Sequence, residues 1–545
     1  MATERRPEDF RVLIVYPNLP LMLVPSLAVA LFNAIFRRLG YQVRLFETTY
    51  YSSDEATSTT ERVERLQARR FDALKELQVV VKGDMLGDFR RMVLDFRPDL
   101  LVVSTVEDTF LQAVRMLNVV QDLNIPHVVG GVFPTNAGER CFDFPEIRMI
   151  GLGEGEAIVR DVAEAVRRGL PLDAIPGTWC RNADGSIRRN PSPPLVDIDD
   201  VCPDFGLFEA KRFYRPMGGR LFKMIPVETY RGCPYKCTYC CSPTLVQFAK
   251  ETGQGKFLRR KSVAALRNEI RHAVDTLQPE FLYFVDDSFM ARPRREILDF
   301  CDMYEEFKLP FWFNTRAENC APDLLARLKE VGCYRMAASA ECGNDDYRVH
   351  VLNRNIKNDK ILGHYDAIAA SGIAFSVDVM VGLPGETRDL AMQSIELIRR
   401  INGYDALTVS VFTPYHGTPL REVAIRNGWL EPKVVCSGAT FRSLLDMPPP
   451  YLGAEEIVHL VSVLPMYCYF PKSAWDEIRR AETPDDEGMR LRRHYADLYS
   501  REFFGESQDS KPHVGGAGCR ANPADSFRIV TPPLPAEELQ RLAPR

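Results

Sequence analysis

Two successive series of alternating apolar strands and amphipathic helices constrain this chain more than any other feature. In the first series, residues 11–16 form a short apolar run closed by Pro17-Asn18, which reads as a buried strand opening into a loop. A helix follows over 26–39, with Ser26 placed to cap it and Gly40 to stop it. Strands over 41–46, 99–104, 126–129 and 147–150 then alternate with helical stretches over 59–97, over 109–123 and up to Arg168. The strands are apolar on both faces, as in a parallel sheet covered by helices on each side. Ligands of such sheets bind beyond the carboxyl ends of the strands, where this chain has Asn18, Ser104, Gly130-Gly131 and Gly151–Glu156.

The second series has strands over 224–230, 280–285, 310–314, 334–341, 373–381 and 406–412. Helices over 262–276, 293–307, 322–331, 358–371 and 388–401 separate them. Six repeats make a partial barrel, short of the eight of a closed one. The expected fold is therefore α/β: a Rossmann-like parallel sheet over 1–199, a linker over 200–222, a partial (βα)6 barrel over 223–425 and a helical region over 426–505. Asn182–Gly185 reads as a hairpin turn, and 506–545, rich in Gly, Pro, Ser and Ala, as a disordered tail. At 46% hydrophobic and 26% charged, collagen-like and wholly disordered readings are excluded. A net charge of −5 argues against a nucleic-acid partner. The charged start, Met1 to Phe10, lacks the apolar core of a signal peptide, and the apolar run 21–36 is too short to span a bilayer. These features predict a soluble cytoplasmic protein without a membrane partner.

Fourteen cysteines are too scattered for a disulfide scaffold, but three of them cluster. Arg231-Gly-Cys233-Pro-Tyr-Lys-Cys237-Thr-Tyr-Cys240 follows directly on the first strand of the second series. Three thiolates on one tight loop can bind three irons of a [4Fe–4S] cluster and leave the fourth to a small molecule. A structural zinc site would need a fourth ligand, and no second Cys or His pair stands at suitable spacing. Cys241 reads as a packed thiol, as do Cys301, Cys320, Cys333, Cys342, Cys436 and Cys468. Cys519 falls in the expected tail.

The cysteine loop resembles the signature of the radical S-adenosylmethionine (SAM) enzymes, and the later strand ends extend the likeness. Tyr239 fills the aromatic position before the last cysteine; strands end at Asp286-Asp287, at Glu341-Cys-Gly343 and at Gly382-Leu-Pro-Gly385-Glu386. The resemblance implies that Cys233, Cys237 and Cys240 hold the cluster and that Tyr239, Asp287, Asn314, Glu341 and Gly382 contact SAM. An α/β domain ahead of such a barrel resembles the cobalamin (B12)-binding subgroup, whose strand-end loops receive the corrin. By that likeness Ser104, Gly130, Gly131, Gly153 and Glu154 contact cobalamin. The chain lacks an Asp-x-His-x-x-Gly motif, and His127 starts a strand, so no histidine is expected on cobalt. Methylthiotransferases also place an α/β domain first, but theirs carries three cysteines, against Cys141 and Cys180 here.

The resemblance implies a methyltransferase of specialised-metabolite or antibiotic biosynthesis, acting on an unactivated carbon or phosphorus of a small molecule, as P-methyltransferases do. An electron donor such as flavodoxin or ferredoxin would reduce the cluster. A cobalamin-dependent oxidative cyclase, and a cobalamin sensor with a vestigial barrel, are the alternatives. No side chain is assigned a catalytic role. Asn314 belongs to the stretch Phe311-Trp-Phe-Asn314, read as a barrel strand. Arg316 is read as pairing with a ligand carboxylate or a neighbouring acid, His416 as steadying its turn ahead of serving as an acid or base, and Arg259-Arg260-Lys261 as the solvated start of a helix.

Overall fold

A computed structural model describes residues 4–52, 58–69, 71, 73–437, 441–505 and 531–544. Two seven-stranded sheets organise it. The first comprises β1 (Arg11–Tyr16), β2 (Gln42–Glu47), β3 (Leu100–Ser104), β4 (His127–Gly130), β5 (Met149–Gly151), β6 (Thr178–Arg181) and β7 (Ile187–Arg189). Its order is β2-β1-β3-β4-β5-β6-β7, parallel through β5 and antiparallel beyond. The order 2-1-3-4-5 is that of flavodoxin-type doubly wound sheets, whose ligands sit at the switch point beyond β1 and β3. The strands are apolar on both faces because helices cover both: Leu13, Val15 and Val103 face one core, and Val12, Ile14 and Val102 the other.

The second sheet begins with β8 (Tyr214–Met217) and β9 (Arg220–Val227), a hairpin turned by Gly218-Gly219 at positive φ. The segment expected as a linker over 200–222 is thus in part an edge strand of this sheet. It escaped notice because Pro216 and the paired glycines mark a turn more strongly than a strand. A short ribbon pairs β10 (Tyr230–Arg231) with β11 (Arg259–Arg260). The sheet continues with β12 (Phe281–Phe284), β13 (Phe311–Arg316), β14 (Cys333–Glu341), β15 (Ala374–Val381) and β16 (Ala406–Val411). Strands β9 and β12–β16 are parallel and sequential, a six-stranded open barrel wall.

Helices Ala454–Tyr469, Trp475–Ala481 and Asp486–Phe504 close the carboxyl-terminal side. The tail expectation needs one correction. Ala536–Leu542 is a helix whose Leu542 is fully buried in the cluster containing Leu383 and Trp429, an anchor too short for periodicity to reveal. The rest of 506–530, Cys519 included, lies outside the described residues. No helix among the described residues is long and apolar enough to cross a membrane.

Candidate functional site

The cysteine loop leaves the carboxyl end of β9 and is fixed before it begins. Asp286, at the end of β12, accepts hydrogen bonds from the Thr229 and Tyr230 amides at 2.7 and 3.0 Å and pairs with buried Arg292. Gly232 sits at φ +92° between Phe257 and Leu258, where a side chain would collide with both. Cys237 is buried, and Cys233 and Cys240 are half-buried. Arg316 lies 3.7 Å over the Tyr235 ring and reaches the Cys237 sulfur at 3.6 Å. Burial pushes the Cys233 thiol up to about 11 and that of Cys240 up to about 12. Metal loading must therefore displace protons. Among the described residues no three His, Cys, Asp or Glu side chains converge on one point as a single ion requires. An iron–sulfur cube makes no such demand, because each thiolate binds its own iron. The donor set, three thiols on one loop, fits the cube.

Around the loop stand the other strand ends. Glu341 ends β14 at φ +66°, a strained conformation for a residue with a side chain, beside a register shift in the β14–β15 pairing. Its Oε1 accepts from the Tyr239 hydroxyl at 2.9 Å and from Arg354 at 3.1 Å. Arg354 is fully buried and also reaches Glu318. Burial works against the Glu318 charge, but Arg354 and Arg316 outweigh it and hold that carboxyl below its usual range. Gly382 ends β15 at φ +79°, and its amide donates to Glu386 at 2.5 Å. Asp287 accepts from the Ser242 hydroxyl at 2.6 Å. The structure thus gathers Tyr239 and Glu341 at one point. Asn314 stands apart, facing inward lower in the barrel and donating to the Tyr283 hydroxyl at 3.1 Å.

The carboxyl ends of both sheets face a shared cavity of about 290 Å3. Gly131, Thr135, Gly153 and Glu154 line one side, and Tyr230, Arg231, Gly232 and Asp287 the other. Gly131, at φ +128°, must lack a side chain, since a Cβ would overlap the Thr105 carbonyl oxygen. Ser104 and Gly130 pair with each other at the ends of β3 and β4 and do not line the cavity. Glu154 is engaged by the protein itself: it pairs with Arg231 at 3.0 Å and with Arg259, and accepts from the Val196 amide at 3.0 Å. Gly131 and Gly153 line the cavity with backbone, and the space a side chain would take is filled by Thr105 and Phe248. His127 lies at the opposite, amino end of β4, where it accepts from the Arg148 amide at 3.2 Å and burial pushes it down to about 4.

Sequence reasoning missed the bonds that join the two sheets. Arg231 pairs with Glu154, Glu156 and Glu228 at 3.0, 2.8 and 2.9 Å. Arg259 and Lys261 are not solvated: Arg259 holds Glu154, and Lys261 is buried against Glu269. They belong to a ribbon and a buried pair, which a basic triplet ahead of a helix does not announce. His416 does steady its turn, through a partner in the first sheet's helix Glu107–Asn118: its Nδ1 lies 2.7 Å from Glu107, and its amide donates to the same carboxylate at 2.9 Å. Cys241 and the six other cysteines expected to be packed thiols are buried or half-buried.

Comparison with known proteins follows the same lines. The sequence model of the Radical SAM superfamily matches residues 227–398. The chain carries a radical SAM domain. An uncharacterised methyltransferase of Pyrococcus horikoshii is 24% identical over 350 residues, covering 63% of this chain and 73% of that protein. Cytidylyl-2-hydroxyethylphosphonate methyltransferase of Streptomyces wedmorensis is 21% identical over 474 residues, covering 79% and 83%. Among solved structures, the radical SAM methyltransferase TsrM of Kitasatospora setae, with cobalamin and a [4Fe–4S] cluster bound, superposes with a TM-score of 0.59 at 14% identity, covering 90% of this chain and 99% of that one. That likeness confirms the α/β architecture.

Proposed function

We propose that this chain is a cobalamin-dependent radical SAM methyltransferase that methylates an unactivated carbon or phosphorus of a small molecule in specialised-metabolite biosynthesis. The observation that carries the reading is the Cys233–Cys240 loop, rooted beside a cavity that both sets of strand ends share. The named relatives are methyltransferases, and TsrM holds both cofactors. With the cofactors bound, the cluster and SAM supply a 5′-deoxyadenosyl radical and cobalamin supplies the methyl group.

The chain's own residues bind and orient. Cys233, Cys237 and Cys240 hold the cluster. Both protein bonds to Glu341 use Oε1, which leaves Oε2 to accept from a SAM hydroxyl. Tyr239, Asp287 and Gly382 complete that side. Asn314 contributes from below only through a ligand that reaches down the barrel. Gly131 and Gly153, with Ser104 and Gly130 behind them, form the cobalamin cradle, and Glu154 acts there by holding Arg231 and Arg259 rather than by direct contact. The cobalamin-binding part spans 1–199, the barrel with its β8–β9 hairpin 214–425 and the helical region 426–505. We place the protein in the cytoplasm, reduced by a flavodoxin or ferredoxin, with no nucleic-acid or membrane partner; its acidic balance and lack of a spanning helix among the described residues support this.

Anaerobic reconstitution with iron and sulfide, then SAM, cobalamin and a reductant, should yield 5′-deoxyadenosine. Replacing the three cysteines with alanine should abolish both bound iron and this product. Iron retained by the triple variant would sink the proposal. With substrate present, S-adenosylhomocysteine should form alongside; its absence during turnover would favour the cyclase alternative.

A further inference from the structure

The barrel encloses a second cavity, of about 490 Å3, along the amino-terminal and middle parts of β13–β16, away from the cysteine loop. That volume suits a small molecule. Its charge is unbalanced: Arg62, Arg69, Arg215 and Arg335 line it against Asp378 and Asp405. Arg335 is committed to Asp405 at 2.6 Å, and Arg69 lies over the Phe504 ring. The other two arginines are not neutralised. Arg62 donates to the Thr408 hydroxyl at 3.1 Å, and its Nε is buried without a hydrogen-bond partner among the described residues. Arg215 lies 4.9 and 5.3 Å over the rings of Trp312 and Tyr283, which stack 4.1 Å apart, and no carboxylate of the described residues pairs with it. Burial lowers both guanidinium groups from their ordinary range. Asp378 is the carboxylate whose charge acts on Arg62, and burial pushes its carboxyl up and so disfavours that charge. Gln67 adds a further donor: its Oε1 accepts from the Val409 amide at 3.0 Å, while Nε2 is buried without a partner among the described residues.

Surplus donors and surplus positive charge in one enclosed space are costly unless an acceptor-rich anion meets them. A guanidinium keeps its charge in such a place and matches a planar or tetrahedral oxyanion with paired N–H groups. We propose that this cavity holds a small acid by its oxyanion, a phosphonyl, phosphoryl or carboxylate group, on Arg215 and Arg62, with Trp312 as the apolar wall. The cavity lies away from the cysteine loop, so the acid is proposed as a bound ligand and not as the group that is methylated, and its binding does not rest on the methyltransferase reading.

The test is calorimetric titration of the full, reconstituted chain with phenylphosphonate and, in separate arms, benzoate and neutral benzyl alcohol. One or both anions should bind, with the alcohol weaker by roughly tenfold or more. Arg62→Met and Arg215→Met should each weaken the anion by a similar factor, and Arg295→Met, on an exposed helix face, should not. Binding of phenylphosphonate assigns the phosphonyl and phosphoryl class, and of benzoate alone the carboxylate class. Because Arg215→Met removes an uncompensated charge, its melting temperature should not fall. No anion binding, equal binding of the alcohol, undiminished binding by both arginine variants, or a lowered melting point for Arg215→Met with anion binding retained would overturn the assignment. Bound iron and 5′-deoxyadenosine, measured on the same samples, report separately on the cofactor reading.

Discussion

Arg354 shows how a single buried charge organises the site. Its side chain has no exposed surface, and it joins Glu341, Glu318 and the Ser339 carbonyl, the last at 3.0 Å. Through Glu341 it fixes Tyr239, and through Glu318 it meets Arg316, which touches Cys237. Arg354→Met would leave Glu341 with only the Tyr239 hydroxyl and Glu318 with Arg316 alone. We expect a loss of about 3–5 kcal/mol, read as a lower midpoint in denaturant titration of the apoprotein. A midpoint unchanged from wild type would mean that water replaces the guanidinium and that the group is not closed. Spacing marked Cys237 in the sequence, whereas Tyr239 and Glu341 were singled out only by the family resemblance. Arg354 was marked by neither, since its partners converge from separate segments and nothing local distinguishes it from a surface arginine.

At the scale of the element, the turn that ends β15 carries its own acid. Glu386 accepts from the Gly382 amide at 2.5 Å and from the Leu383 amide at 3.3 Å, closing the turn on itself. Burial nonetheless dominates and pushes its carboxyl up to about 8, from an ordinary 4.5. An acid raised in the folded state stays protonated while the unfolded chain ionises. The unfolded state then binds fewer protons, so stability falls as pH rises from about 4.5 to about 8. One such group contributes at most about 1.4 kcal/mol per pH unit. Glu386→Gln imitates the neutral acid and should flatten the decline of denaturation midpoint with pH over that window. A wild-type and variant curve of equal slope would show that Glu386 is ionised in the fold. The sequence displayed this turn as Gly-Leu-Pro-Gly-Glu-Thr and displayed the strands around it by their apolar runs. It did not display β8, whose Pro216 and neighbouring glycines speak for a turn, nor the helix at 536–542, which one buried leucine anchors.

Across the whole molecule, the two sheets are joined by charge where they face each other. Arg231 directly precedes Gly232-Cys233 and holds Glu228 of its own strand connection together with Glu154 and Glu156 of the first sheet's last βα turn. Burial disfavours its charge, but the three carboxylates more than offset this and keep the guanidinium firmly protonated. A second tie, Glu107 with His416 and the Cys436 amide, lies across the same boundary. The start of the cysteine loop is therefore held by carboxylates of the first sheet's βα turn. Arg231→Met should lower stability by about 3–5 kcal/mol, and amide exchange at 151–156 and 228–233 should quicken together. Being sheltered from solvent, the tie should resist added salt far better than an exposed pair. Replacing Glu156 and Glu228 by Gln alongside Arg231→Met removes the stranded charges and should return much of the lost stability, because a buried ionic group taken away whole costs little. Exchange that quickens on only one side of the cavity would show that the halves are docked by their apolar contacts alone.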